Sequence, residues 1–232
     1  MAGIKVVSGE EKKSVSDVLG GLLVKYRVVI IGLVVALILA AVGIAAGLAI
    51  SEGVRTKGLT EFDTLTESLV SARSELTGDA LSAKEDEILS SLDGLVSKNS
   101  RNVVGVRASM LKAEIYFARE DWASAKDAWI KASDIDSKAY TAPLCLYNAA
   151  VSSEELGDLD GAVTLLGKVV ENTDFSLRQE ALFSLGRIED QRGNYAAAVE
   201  QYEKMLAEQP NDSWTLLAHS RILQLQAEGK AE

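Results

Sequence analysis

The stretch QEALFSLGRIEDQRGNYAAAVEQYEKMLAEQPND, Gln179–Asp212, decides the fold. Its apolar residues recur three and four apart on both sides of Gly193-Asn194-Tyr195, which reads as two amphipathic helices joined by a tight turn. Leu182, Leu185 and Gly186 belong to the first half, and Ala198, Tyr202 and Pro210 to the second. Small residues (Gly186, Ala198) stand where two antiparallel helices cross. Large ones (Leu182, Tyr202) fill the neighbouring holes.

The same template fits twice more upstream. Around Pro143–Ser176 it places Leu146, Ala149, Ala150, Gly157, Ala162 and Leu166, and around Val106–Ala139 it places Ala113, Tyr116, Ala125, Trp129 and Ala132. The second-helix alanines Ala125, Ala162 and Ala198 lie 37 and 36 residues apart. This pattern resembles the tetratricopeptide repeat (TPR), whose strict period is ~34 residues, so the turns between hairpins carry two or three extra residues. Departures from the repeat pattern are Glu189 in place of an aromatic, Met205 in place of the last small residue, and Asp174 in place of the proline. Three copies reach the minimum for a continuous stacked core. Ser213–Gln226 is a further amphipathic segment, expected to cap the open end of the stack.

Working outward toward the N-terminus, Ile88, Leu92 and Leu95 form the apolar stripe of a helix over Lys84–Lys98. Leu59, Phe62, Leu65, Leu69, Ala72 and Leu76 form that of an earlier one, and Thr77-Gly78-Asp79 separates the two. The 59–98 pair reads either as a degenerate first repeat or as a plain juxtamembrane hairpin. Before it comes VVIIGLVVALILAAVGIAAGLAI, Val28–Ile50, with no charge between Arg27 and Glu52. At ~1.5 Å per residue such a run crosses the ~30 Å hydrocarbon core of a bilayer. A buried core helix would be shorter and carry a polar face. A cleaved signal peptide is the stronger rival, although its apolar region spans only about 7–15 residues. Ser14–Arg27 is a candidate interfacial helix, weakened by Gly20 and Gly21.

Lys5, Lys12, Lys13, Lys25 and Arg27 precede the span, which predicts a cytoplasmic N-terminus and an extracytoplasmic remainder. Residues 52–232 carry 19 basic and 31 acidic groups, a net of −12. So acidic a domain gains nothing from phosphate backbones, which argues against nucleic acid as a partner. Within the span, Gly32, Ala36, Ala40, Gly43 and Gly47 share a narrow face at ~100° per residue, a seam for membrane-helix packing or self-association.

Chemistry is sparse. His219 is the only histidine, so a histidine-based metal site or triad has almost no material. Cys145, the only cysteine, sits between Leu144 and Leu146 on a repeat helix and reads as a buried structural thiol. Gly161–Val169 (GAVTLLGKV) fails as a phosphate loop because its glycine spacing is too long and Val169 replaces the magnesium-binding hydroxyl. Glu154-Glu155 and Asp134/Asp136 read as solvated helix ends, and Trp122 and Trp129 as core. The sequence predicts no enzyme and no cofactor.

The fold class that follows is all-α, a single N-terminal transmembrane helix and then a TPR-type α-solenoid of helical hairpins. Its segments are a cytoplasmic stretch at 1–27, the span at 28–50, the juxtamembrane pair at 51–104, three repeats at 105–212 and a capping helix with its tail at 213–232. This layout resembles the YfgM-like ancillary subunits of the bacterial Sec translocon. The resemblance implies an inner-membrane protein with a periplasmic repeat domain, whose partners are the translocon, chaperones and exported clients. The rival reading is a scaffold within an envelope machine such as a flagellar-motor or outer-membrane assembly. Tetratricopeptide repeats point the fifth residue of each first helix into a concave groove. Here those residues are Met110, Tyr147 and Phe183, with Phe117 and Arg187 nearby, an apolar row suited to peptide segments of other proteins. The Lys and Asn of the family's carboxylate clamp are absent from these positions. The competing account of the row is packing beneath the next hairpin.

Overall fold

The computed structural model describes residues 15–209 and 212–231. Residues 1–14 of the stretch expected to be cytoplasmic, and Pro210 of the repeat pattern, lie outside the described residues. The described residues form α1 (Val15–Glu75), α2 (Gly78–Lys98), α3 (Val103–Ala118), α4 (Trp122–Ile135), α5 (Ala142–Glu155), α6 (Leu159–Val170), α7 (Arg178–Gln191), α8 (Tyr195–Glu208) and α9 (Ser213–Ala227). The chain divides into two compact units at Gly53 and Val54.

The first unit is the N-terminal part of α1. Its apolar side chains stand bare, with Val28 74% and Leu37 70% exposed. The helix is long and apolar enough to cross a membrane. Gly32, Ala36, Ala40, Gly43 and Gly47 are all exposed, and open space surrounds Gly32, Gly43 and Gly47. The separate helices expected at Ser14–Arg27 and from Leu59 onward are instead parts of α1. Single glycines cost a helix about 1 kcal/mol without ending it, and no proline interrupts this stretch.

The second unit is a run of antiparallel hairpins in which each helix packs on the next. Turns within a hairpin are short. The α3–α4, α5–α6 and α7–α8 links place Glu120, Gly157 and Gly193 in the left-handed region, with φ of 59°, 74° and 81°. At each turn the following amide donates back to the preceding helix, Asp121 to Tyr116 O, Asp158 to Ser153 O and Asn194 to Glu189 O. The same turn therefore recurs three times, twice with the glycine that this conformation favours. Asp121 and Asp158 cap the second helices by accepting from Ser124 N and Gly161 N, and Asn102 and Asp212 cap α3 and α9.

Three buried clusters run through the unit. Phe62, Leu69, Ile88, Leu92, Leu95, Val104 and Ile115 join α1, α2 and α3. Ala125, Trp129, Cys145, Ala149, Ala162, Leu166 and Ile188 occupy the middle. Leu182, Ala198, Tyr202, Met205, Ile222 and Leu225 close the far end. Each large member buried from water contributes about 1.5–3 kcal/mol. Gly186 does what the sequence requires of it, because a Cβ there would lie 2.5 Å from the Tyr202 ring. Gly105 shows a tighter approach that the sequence did not signal, since its Cβ would meet Asn99 O at 2.1 Å. Cys145 is fully buried, and desolvation pushes its thiol up to about 11. Gly161–Val169 lies within α6, a helix rather than a phosphate-binding loop.

Candidate protein-interaction site

Side chains of α5, α7 and α9 meet along one seam. Glu154, at the end of α5, takes both terminal nitrogens of Arg187 from α7 at 2.6 and 2.7 Å. Asp190, one turn beyond Arg187, takes Nε and Nη2 of Arg221 from α9 at 2.6 and 3.0 Å. Glu154 and Asp190 are 36 residues apart and Arg187 and Arg221 are 34, so the same forked pair recurs at successive steps. Hydrogen bonding to Glu154 raises the Arg187 guanidinium above its ordinary value, offsetting a cost from burial. Glu154 is thus an interhelical partner rather than the solvated end read from sequence.

One step earlier the ladder changes character. The positions equivalent to Glu154 and Arg187 are Phe117 on α3 and Val151 on α5, both half-buried. Here Glu114, Phe117, Ala118, Trp129 and Asn148 line a cleft of about 300 Å3. Phe117 is braced edge-on against Trp122, centroids 4.8 Å apart, which assigns Trp122 a packing role beside the core residue Trp129. Burial raises the Glu114 carboxyl above its usual range, with Arg73 pulling the other way.

The five groove residues occupy different surroundings. Met110, Phe117 and Tyr147 rest half-buried against the middle cluster. The Tyr147 hydroxyl reaches Ser184 and Glu180 on α7, and burial raises its phenol. Phe183 lies between Tyr202 and Trp214, ring centroids 5.8 and 5.3 Å away, at the far end. Arg187 is engaged by Glu154. Of the five, only Phe117 lines the cleft. Glu114 and Asn148 carry no signal in the sequence and Trp129 reads there only as core, because the three converge from three helices. The ion pairs left a fainter trace, in acids and arginines recurring at near-repeat spacing. A larger hollow of about 440 Å3 lies off the seam among the long turns before α5 and α7, flanked by Tyr140, which is 91% exposed.

Stacked hairpins of this kind define an α-solenoid, a class built around extended surfaces for other proteins. Residues 147–213 match the family model for the tetratricopeptide repeat. A TPR repeat-containing protein of Treponema pallidum (strain Nichols) is 31% identical over 153 residues, 66% of this chain and 64% of that protein. The chain thus spans somewhat less than two thirds of that relative's length. The crystal structure of nearly identical TPR-like repeats from Podosopora anserina superposes with a TM-score of 0.51 at 17% identity, covering 74% of this chain and 86% of that one, as does a variant of it. The stacked hairpins thus share the fold of TPR-like repeats, and residues 147–213 match the tetratricopeptide repeat itself.

Proposed function

We propose that the repeat unit holds one protein partner through the α3–α5 cleft and that α1 anchors it to a bacterial inner membrane, with the repeats on the periplasmic side. One observation carries this reading. The first-helix seam is apolar and open at the α3–α5 step, and is stitched by forked ion pairs at the next two. A rigid wall with one aromatic-lined notch suits an anchor side chain of a single partner, with Glu114 and Asn148 on the rim. The bare apolar stretch of α1 and the basic residues before it support anchoring with the N-terminus inside.

A scaffold role in an envelope assembly follows most directly from such a notch. The translocon and chaperone role implied by the layout uses the same cleft on many emerging chains. Capture from detergent-solubilised membranes, followed by mass spectrometry, distinguishes the two. A scaffold recovers one stoichiometric partner, and Glu114→Lys combined with Phe117→Glu removes it. A translocon role recovers channel subunits with many substoichiometric clients. Capture that the double variant leaves unchanged refutes the cleft.

A further inference from the structure

Among the described residues, α9 does not present the outer face of a polar cap. On α7 the face made by Gln179, Leu182, Gly186 and Glu189 is buried, and Leu182 and Gly186 pack against α8. Counting 34 residues on, in the register that aligns Arg221 with Arg187 and Ile222 with Ile188, the same face of α9 is Ser213, Leu216, Ser220 and Leu223. All four are exposed, Leu216 by 62% and Leu223 by 53%, while α9 packs inward through Thr215, Ala218, Ile222 and Leu225. So α9 is built as the first helix of another hairpin, and no helix covers its partner face among the described residues. A small residue, Ser220, stands at the crossing position that Gly186 holds on α7.

We infer that this face is a self-association seam, on which α9 of a second copy packs antiparallel across Ser220. Two observations select a second copy. Ser213, Leu216, Ser220, Leu223 and Ala227 alternate small and large at spacings of three and four, the repeat that keeps one helix seam facing another. The order reads alike in both directions about Ser220, so a two-fold pair sets Leu216 against the partner's Leu223 and serine against serine, a self-complementary interface. Charge is the second. The repeat unit is strongly acidic, yet α9 holds no Asp or Glu from Ser213 to Ala227. Two like-charged copies meet with least repulsion where acids are missing. The seam is separate from the α3–α5 cleft.

Thiol cross-linking of the full chain, in native membranes and purified in detergent, tests the assignment. The buried native Cys145 supplies the silent background. Ser220→Cys is expected to give a disulfide-linked dimer on mild oxidation, and Thr164→Cys, exposed on α6, to give none. Adding Leu223→Glu to Ser220→Cys should abolish the dimer while leaving the helical circular dichroism unchanged, because Leu223 is exposed on the single chain. Cross-linking of Ser220→Cys no stronger than that of Thr164→Cys overturns the seam. So does a dimer that survives Leu223→Glu, or a product joining this chain to a different protein.

Discussion

At the scale of single residues, three positions set the tolerances of the fold. Gly186 is pressed against the Tyr202 ring, so Gly186→Ala should cost about 1–3 kcal/mol, the usual range for overpacking. Gly105→Ala should cost more, because its obstacle is a backbone carbonyl that cannot rotate away. Thermal melting of the full chain in detergent, followed by tryptophan fluorescence, ranks the two. Equal melting of both variants and the parent would show that these approaches are not tight. Glu120 runs the other way. It holds a left-handed turn that its counterparts fill with glycine. That conformation costs a residue with a Cβ about 1–2 kcal/mol, against about 0.4–1 kcal/mol of extra unfolded freedom for glycine. Glu120→Gly should therefore raise the melting temperature by a few degrees.

At the scale of elements, the hairpins were legible and their cross-links were not. Leu182, Gly186, Ala198 and Tyr202 declare a helix crossing because packing demands small and large residues at fixed offsets, and those offsets survive in the chain. Glu154 with Arg187, and Asp190 with Arg221, are separated by 33 and 31 residues, and only the stacking of hairpins brings them together. α1 was misread in its subdivision for a related reason. Gly20 and Gly21 weaken a helix locally, but without a proline nothing in the sequence stops it. The ion pairs lend themselves to a double-mutant cycle. Both members of the Glu154–Arg187 pair keep partial exposure, so Glu154→Gln, Arg187→Gln and the double variant should yield a coupling of about 1 kcal/mol rather than that of a buried pair. A coupling near zero would reduce the ladder to surface decoration.

At the scale of the whole molecule, the division into an apolar helix and an acidic repeat unit predicts a simple topology experiment. Protease added to spheroplasts should digest the repeats and spare the α1 stretch around Val28–Ile50. A mature N-terminus near residue 50 would instead identify that stretch as a cleaved signal. The class of fold followed from sequence because repetition multiplies a weak signal three times over. The α3–α5 cleft did not, because Glu114 and Asn148 fall on no repeat position, Trp129 reads simply as a core position of its repeat, and only stacking brings the three helices together.

The single thiol offers a clock for the solenoid's interior. Cys145 lies in the middle cluster, fully covered, with its ionisation pushed to about 11. Helical repeats open from their ends, because each hairpin is held only by its neighbours. A thiol reagent at neutral pH therefore reaches Cys145 only when fraying has travelled inward past at least one flanking hairpin. The ratio of native to denatured modification rates gives the free energy of that opening. A partner seated on α3–α5 should slow the clock by either route, whereas one bound along α9 should slow only the opening that starts from that end.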